Sequence, residues 1–413
     1  MKFCRVKGLS RYFSSTKDFV VMAEDLNTPA ASASTTIPER SKWMKTRGLW
    51  PSVLRWIPSS ADHILAAEKR LLSLVKTPYV QEQVNIGSGP TGSTVRWFRS
   101  ASNEPRFINT LTFQGREDAP TLVMIHGYAA SQGFFFRNYD ALAPYFKVIA
   151  IDQLGWGGSS RPDFTCKNTE ETEDWFVDSF EEWRKTKKLS KFILLGHSFG
   201  GYVAAKYSLK HPEHVQHLIL VGPAGFTPQS DRLSDKLSEF RATWKGAILN
   251  HLWESNFTPQ KLIRGLGPWG PDVVRRYTSA RFGVHAQGKL LSEEESELLT
   301  EYVYHTLAAK ASGELCLKYI FSFGALARMP LSQRASEWKV PTTFVYGVQD
   351  WMNYEGAKEA RAHMKVPCEI IRVPQGGHFV FIDNPGGFLS AVLYACRDIL
   401  HGLHQLPDGL ASV

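Results

Sequence analysis

The segment KFILLGHSFGG, residues 191–201, constrains the fold of this chain more than any other. An apolar run leads into a G-x-S-x-G pattern made by Gly196, Ser198 and Gly200, and the helix-forming stretch YVAAKYSLKH follows at once. A strand that turns into a helix through this pattern needs small residues beside the serine, because the turn is very tight. The segment therefore predicts a nucleophile elbow that lifts the Ser198 hydroxyl above the edge of a sheet.

Apolar runs alternate with helical patterns on both sides of this segment. Buried strands are predicted for four runs: APTLVMIHG, FKVIAIDQ, VQHLILVG and PTTFVYG. A helix is predicted for TEETEDWFVDSFEEWRKTKK, where acids come early and bases late, as the helix dipole favours. Two earlier runs, VQEQVNI and STVRWFRS, predict a leading pair of strands. This alternation predicts an α/β fold with a mostly parallel central sheet and helices on both faces.

The patterns also divide the chain into parts. The predicted parts are a basic extension and linker at 1–41, a Trp-rich arm and docking helix at 42–78, a core at 79–225 and 339–405, a helical lid at 226–338 and a tail at 406–413. The linker is small, polar and low in complexity, so it lacks the apolar surface that a packed segment needs.

The serine of an elbow is a weak nucleophile without a base and an acid that orients the base. In this layout the acid and the histidine are expected in that order, each directly after a strand. Asp350 is the first acid after PTTFVYG, and His378 is the histidine between the last predicted strand and the closing helix. We therefore predict a catalytic triad of Ser198, Asp350 and His378.

An acyl-transfer site also needs backbone N–H groups that bind the developing oxyanion. One donor is expected from Phe199, the residue after the nucleophile. The other is expected from Tyr128, in the His-Gly-Tyr turn that follows APTLVMI.

The stretch GGHFVFIDNP, residues 376–385, permits a second interpretation of His378. His378 and Asp383 form an H-x-x-x-x-D pattern, which membrane glycerolipid acyltransferases use. Asp383 also precedes Pro385 at the predicted start of a helix, where a carboxylate caps well. Because the ring nitrogen facing away from Ser198 is assigned to Asp350, we favour a structural, capping role for Asp383 and keep it as an acyltransferase-motif candidate.

Positive charge is concentrated at the start of the chain. Residues 1–60 hold ten Lys or Arg against four acids, a net +6 of the total +8. Three indoles, Trp43, Trp50 and Trp56, are interleaved with these cations, a combination that favours an anionic lipid headgroup layer. This distribution argues against a nucleic-acid groove in the body and predicts peripheral contact with a membrane or lipid-droplet surface.

The remaining composition bounds the compartment and the cofactors. Five scattered cysteines without C-x-x-C indicate neither a disulfide framework nor a zinc site, so an intracellular location is expected. The start, MKFCRVKGLSRYFSS, is basic and free of acids, like a mitochondrial or plastid transit peptide; otherwise the cytoplasm or a lipid droplet is expected. No apolar run spans a membrane, and no metal motif, P-loop or dinucleotide fingerprint occurs.

Five motifs together resemble the α/β-hydrolase family, because they follow each other in the order typical of it: HGYAAS, DQLGWGGSSRP, GHSFGG, YGVQD and GGHFVFIDNP. With the Trp-rich arm, GHSFGG and GGHFVFIDNPGGF resemble the subfamily of the lipid-droplet co-activator of adipose triglyceride lipase and its plant relatives, described as lysophosphatidic acid acyltransferases with phospholipase and lipase activity. In that subfamily the co-activator carries Asn at the nucleophile position. The serine here, Ser198, favours catalysis.

The resemblance implies a serine-dependent lipid acyl hydrolase and acyltransferase, with phospholipid or lysophospholipid substrates and acyl-CoA as a candidate acyl donor rather than a cofactor. Two alternatives stay open, a general carboxylesterase for small esters and a non-enzymatic lipid-surface scaffold or lipase co-activator. Two sets of lid residues have candidate roles. Five apolar residues are candidates either for the wall of an acyl tunnel or for ordinary packing within the lid: Trp244, Leu252, Trp253, Phe257 and Trp269. Five cations are candidates either for contact with a lipid phosphate or for a solvated surface: Lys261, Arg264, Arg275, Arg276 and Arg281.

Overall fold

The computed structural model describes residues 59–88, 105–227, 239–283, 290–400 and 411–412. Its strands are β1 (Tyr79–Asn85), β2 (Phe107–Phe113), β3 (Thr121–Ile125), β4 (Lys147–Ile151), β5 (Phe192–His197), β6 (Val215–Val221), β7 (Phe321–Ser322), β8 (Leu326–Ala327), β9 (Thr342–Gly347), β10 (Cys368–Val373) and β11 (Ala411–Ser412). Within these ranges one large sheet has the order β1-β2-β4-β3-β5-β6-β9-β10-β11, and β7 and β8 form a separate hairpin.

The six central strands of the large sheet run parallel. The parallel strands are, in order across the sheet, β4, β3, β5, β6, β9 and β10. Antiparallel strands flank them at both edges: β1 and β2 on one side and β11 on the other. The predicted α/β fold with a mostly parallel sheet is confirmed. The pairing of the leading strands differs, because β1 pairs with β2 at 107–113. The predicted strand STVRWFRS lies outside the described residues.

Helices cover both faces of the sheet. They are α1 (Ala61–Leu72), α2 (Tyr139–Leu142), α3 (Thr169–Thr186), α4 (Phe199–Lys210), α5 (Trp244–Glu254), α6 (Pro259–Gly265), α7 (Gly270–Phe282), α8 (Glu293–Ala308), α9 (Leu317–Ile320), α10 (Glu355–His363), α11 (Val380–Asp383), α12 (Pro385–Ala395) and α13 (Arg397–Leu400). Side chains alternate across a strand, so Met124 packs in the core with α1 and α12 while Val123 packs in the other core with α3 and α4. In the part of the chain that the structure describes, no helix combines the length and apolar character needed to cross a membrane.

A buried carboxylate ties α1 to the sheet and to α8, a helix of the segment predicted as the lid. Glu68 accepts hydrogen bonds from the side chains of Asn109 in β2 at 2.9 Å, Gln132 at 3.1 Å and Tyr302 in α8 at 2.9 Å. Burial, together with the charge of nearby Asp152, raises the pKa of Glu68 from 4.5 to about 8. This shift favours the protonated form of Glu68 in the folded protein at neutral pH, where an exposed glutamate would be ionised.

Glu68 should make the protein less stable as the pH rises. The folded state keeps a proton that the unfolded chain releases above its ordinary pKa of 4.5. The free energy of unfolding is therefore expected to fall between about pH 4.5 and pH 8, by at most about 1.4 kcal/mol per pH unit from this group. Urea unfolding of Glu68→Gln at several pH values should show a flatter dependence than wild type. An equal slope in both proteins would mean that Glu68 is ionised when folded.

Candidate active site

The predicted elbow lies between β5 and α4. Ser198 has φ 53° and ψ −117°, a backbone conformation rare for a residue with a side chain. The flanking glycines are needed for space, since a Cβ on Gly196 would lie 2.4 Å from the carbonyl oxygen of Gly200, and one on Gly200 would lie 2.3 Å from that of His126. The Ser198 N–H donates to the carbonyl of Val221 at the end of β6 at 2.9 Å, which holds the turn against the sheet.

The structure brings Ser198, His378 and Asp350 into one hydrogen-bonded chain. His378 Nε2 lies 3.0 Å from Ser198 Oγ, and His378 Nδ1 lies 3.0 Å from Asp350 Oδ1. The side chains of Asp350 and His378 are 2% and 11% exposed, so water competes little for either. With Nδ1–H donating to Asp350, Nε2 is free to accept the Ser198 proton. Such an arrangement can activate the hydroxyl for attack on a carbonyl carbon.

Gly222 allows Asp350 to approach His378 and was not singled out from the sequence. It follows β6 with φ +46°, and a Cβ there would lie 2.5 Å from Asp350 Oδ2 and 3.2 Å from His378 Nδ1. Its only signal in the sequence is a Gly-Pro pair after an apolar strand, which more often marks an ordinary turn.

The turn after β3 lies directly against the elbow. A Cβ on Gly127 would lie 3.0 Å from Ser198 Cβ and 2.9 Å from His197 Nδ1. The phenol of Tyr128 donates to the carbonyl of Glu314 in the lid at 3.1 Å, so its side chain connects this turn to the lid. The oxyanion role of the Tyr128 and Phe199 N–H groups stays a prediction.

Two further buried histidines flank the site without the geometry of a base. His126 donates from Nδ1 to the carbonyl of Gly127 at 2.8 Å and accepts the N–H of Gln153 at Nε2 at 3.0 Å, so both ring nitrogens are occupied. His197 donates from Nε2 to the carbonyl of His378 at 2.9 Å. Burial lowers the pKa of both rings, that of His197 well below its ordinary value. His197 thus holds the backbone of His378 as a neutral donor.

Comparison with known proteins agrees with this geometry. The family model for the alpha/beta hydrolase fold matches residues 120–385. The chain belongs to the α/β-hydrolase family. It is 74% identical over 425 residues to a 1-acylglycerol-3-phosphate O-acyltransferase of Arabidopsis thaliana, covering 98% of this chain and 100% of that protein. It is 33% identical over 348 residues to a (lyso)-N-acylphosphatidylethanolamine lipase of Mus musculus, covering 83% of this chain and 93% of that protein.

Among solved structures, a carboxylesterase of Bacillus subtilis has a similar fold. Its crystal structure matches with a TM-score of 0.54 at 16% identity, and the match covers 82% of this chain and 98% of the esterase. At this identity the match describes only the fold shared by members of the α/β-hydrolase family.

The predicted capping role of Asp383 is wrong. Helix α12 of this α/β-hydrolase begins at Pro385, so the residue before it is Asn384, whose Oδ1 accepts the N–H of Gly387 at 2.9 Å. Asp383 instead accepts the N–H of Gly377 on Oδ2 at 2.8 Å and binds Arg281 of α7 at 3.0 Å. Asp383 therefore contacts the residue beside His378, while the His378 ring faces Asp350.

The predicted acyl tunnel does not form from the residues proposed. Trp244 is 71%, Trp269 62%, Phe257 46% and Leu252 37% exposed. Trp244 and Leu252 are exposed because α5 buries only Gly246, so most side chains of this helix point outwards. Phe257 follows α5 and Trp269 precedes α7, so both lie in connecting segments. Trp253 is the partly buried member of the set, and its indole N–H donates to the carbonyl of Phe321 in the β7–β8 hairpin at 3.0 Å. The apolar lid residues form an outer surface rather than a tunnel wall.

The lid cations are mostly engaged within the protein. Arg264 binds buried Glu314 at 2.6 Å, Arg275 binds Asp272 at 3.0 Å, and Lys261 donates to the carbonyl of Asn256 at 2.6 Å. Arg281 is bound to Asp383 as described, and Arg276 is exposed. These contacts disfavour a phosphate site built from all five cations. The predicted lipid-contact residues Trp43, Trp50 and Trp56 lie outside the described residues.

Proposed function

We propose that this α/β-hydrolase is a serine-dependent lipid acyl hydrolase and acyltransferase that acts on glycerophospholipids in lipid homeostasis. The observation that carries the proposal is the hydrogen-bonded chain from Ser198 Oγ through His378 to buried Asp350, at an elbow in the strained conformation of this family. The similarity to a 1-acylglycerol-3-phosphate O-acyltransferase and to a (lyso)-N-acylphosphatidylethanolamine lipase supports a lipid substrate and both outcomes, transfer and hydrolysis.

The first half-reaction transfers an acyl group to the enzyme. Ser198 Oγ attacks the carbonyl carbon of an acyl ester, or of an acyl-CoA thioester, while His378 Nε2 takes the hydroxyl proton. The oxyanion of the tetrahedral intermediate would be bound by the N–H groups of Phe199 and Tyr128. When the intermediate collapses, His378 gives its proton to the leaving alcohol or thiol, and an acyl ester on Ser198 remains.

The second half-reaction decides between the two activities. His378 takes a proton either from water or from the hydroxyl of a lysophospholipid such as lysophosphatidic acid, and that oxygen attacks the acyl group. Collapse returns the proton to Ser198 Oγ and releases a free fatty acid or a diacyl phospholipid. The same three residues serve both routes, so exclusion of water by the lid sets their ratio.

A panel of lipids with and without acyl-CoA tests the proposal. Purified protein should release fatty acid from phospholipids or lysophospholipids, and should form phosphatidic acid from lysophosphatidic acid and labelled acyl-CoA. If only short soluble esters are hydrolysed, the general carboxylesterase is the right alternative. Complete inactivity together with stimulation of a separate lipase would support the non-enzymatic scaffold.

A lipid enzyme has to meet an interface, and the outer surface of α5 supports that role. Trp244, Ile248 and Leu252 follow each other at intervals of four residues, on one side of the helix, and are 71%, 52% and 37% exposed. Residues 239–283 hold seven Lys or Arg and three acids. Lys245 of the same helix is exposed as well, and exposed indole and aliphatic groups beside a lysine suit the headgroup layer of an anionic membrane or lipid droplet.

Replacing two of these apolar side chains should weaken binding to lipid. Trp244→Asp with Ile248→Asp is expected to lower binding to vesicles containing phosphatidylserine by at least about tenfold, because each large apolar group contributes roughly 1.5–3 kcal/mol on burial. Flotation of protein with vesicles measures it, and hydrolysis of a soluble ester should be unchanged. Val80→Asp, at an apolar residue of β1 that is 56% exposed, is the matched control. Equal flotation of all three proteins would leave the Trp-rich arm as the proposed contact.

A further inference from the structure

Two glycines lie directly before His378, so the backbone conformation of residues 376–378 has to be fixed by contacts with the surroundings. Gly376 and Gly377 precede the base, and both positions are tight for a Cβ: it would lie 2.8 Å from Val380 Cγ2 at Gly376 and 3.0 Å from Asp383 Oδ2 at Gly377. Paired glycines give the backbone wide freedom in φ and ψ. The 3.0 Å contact between His378 and Ser198 therefore depends on hydrogen bonds that hold this segment.

Three hydrogen bonds hold the backbone of residues 376–378 to its surroundings. The N–H of Gln349 donates to the carbonyl of Gly376 at 2.9 Å, and His197 donates to the carbonyl of His378 at 2.9 Å. Both donors lie at the ends of sheet strands: His197 is the last residue of β5, and Gln349 follows β9. The third, from the Gly377 N–H to Asp383 Oδ2 at 2.8 Å, ends on a carboxylate that is itself bound by the lid.

The lid reaches this carboxylate through the last turn of α7. Arg281 donates to Asp383 Oδ1 from Nη1 at 3.2 Å and to Oδ2 from Nη2 at 3.0 Å, a bidentate pair in which Asp383 is only 6% exposed. The Arg281 guanidinium also lies over the Phe379 ring at 5.2 Å. Its neighbour Phe282, 1% exposed, packs edge-on against the same ring at 5.4 Å. The end of α7 therefore covers the residues on both sides of His378.

We propose that Arg281 and Asp383 form a latch through which closure of the lid orients His378. This inference rests on the proposed function, because it assigns the latch to the base of that reaction. With α7 in place, Arg281 holds the Asp383 carboxylate, Asp383 holds the Gly377 N–H, and the adjacent base stays within reach of Ser198. Without α7, a carboxylate that is almost fully buried loses its charge partner and no longer fixes the glycine pair.

The latch assigns a new role to the H-x-x-x-x-D pattern. Both Asp383 oxygens face the Gly377 N–H and Arg281, whereas His378 Nδ1 faces Asp350. Asp383 is then a positioning residue and so is Arg281, which lies outside the pattern. A base that is aligned only under a closed lid would favour a bound alcohol over bulk water as acyl acceptor.

A double-mutant cycle tests the latch. Asp383→Asn and Arg281→Met are each expected to slow single-turnover acylation of Ser198 by p-nitrophenyl butyrate about tenfold and to lower the ratio of transfer to hydrolysis, since small misplacements of a base are costly. The double variant should be no slower than either single variant, because both changes break one unit. If Asp383→Asn is slow while Arg281→Met matches wild type, or if the losses multiply, the latch is wrong.

Hydrogen exchange separates a failed latch from a failed enzyme assignment. Peptides covering 374–384 should exchange faster in both single variants than in wild type, whether or not the protein turns over any ester. The matched control is Arg70→Met, which breaks the ion pair of Arg70 with Glu301 between α1 and lid helix α8 and leaves the His378 segment untouched. Unchanged exchange in the two latch variants, or an equal change in Arg70→Met, overturns the proposal. Inactive wild type with the expected exchange pattern would instead overturn the proposed function alone.

Discussion

Ser198→Ala is expected to abolish covalent labelling by a fluorophosphonate probe and to lower both hydrolysis and acyl transfer by at least about 10³-fold. The reason is that both routes pass through an ester on Ser198 Oγ, which His378 Nε2 approaches at 3.0 Å. Labelling of the intact purified protein, read by mass spectrometry, measures the first effect. Assays with a soluble ester and with lysophosphatidic acid plus acyl-CoA measure the second.

A serine in the helix that follows the elbow gives the matched control. Ser208 of α4 is buried and donates to the carbonyl of Ala204 at 2.9 Å, so Ser208→Ala should keep labelling and activity. If Ser198→Ala labels as well as wild type, the nucleophile lies elsewhere. If neither protein labels, the enzymatic proposal fails and the scaffold becomes the better explanation.

Asp350→Asn is expected to lower turnover of a soluble ester by roughly 10⁴-fold while leaving the fold intact. An asparagine can present an N–H to His378 Nδ1, which favours the tautomer with the proton on Nε2, and that nitrogen then cannot accept the Ser198 proton. Steady-state kinetics measure the loss, and circular dichroism with urea unfolding checks the fold. The Met352 N–H donates to the same Asp350 Oδ1 at 2.9 Å, so an asparagine that turns its N–H towards His378 also gives up this hydrogen bond.

The size of the effect distinguishes Asp350 from Asp383. The latch predicts about a tenfold loss for Asp383→Asn, far below that for Asp350→Asn, because Asp383 acts through the backbone and not on the ring. Nearly equal losses in two folded variants would mean that His378 depends on both acids, which the distance of 3.0 Å to Asp350 alone does not explain.

Local patterns were sufficient for the fold and for placing the candidate triad. Buried strands are short apolar runs, and an elbow has glycines where neighbours leave no room for a Cβ, so both are visible in a few consecutive residues. Asp350 and His378 follow β9 and β10, and parallel strands bring their carboxyl ends to one edge of the sheet. Order along the chain was therefore enough to select them.

Contacts between distant segments were beyond these patterns. Periodicity in a sequence indicates which residues share a face of a helix, but it does not show what that face contacts. An inward direction could therefore not be derived for the apolar lid residues, and Trp244 is in fact exposed. The shift of the cap from Asp383 to Asn384 depends on one residue at a helix boundary, the least certain feature of a sequence-based prediction. Gly222 matters because it lies against Asp350, which is 128 positions away in the chain. Arg281 matters because it binds Asp383, which is 102 positions away.

The sequence by itself determined the α/β-hydrolase fold, the elbow at Ser198 and the order of its candidate partners, since strand, turn and helix signals are set by neighbouring residues. Only the tertiary structure decided what Asp383 touches. Its carboxylate could cap a helix, orient His378 or bind a lid cation, and all three fit the same residues in GGHFVFIDNP. Burial against α7 selects the third, because a carboxylate removed from water is stable only beside a hydrogen-bonding partner of opposite charge, and Arg281 supplies it.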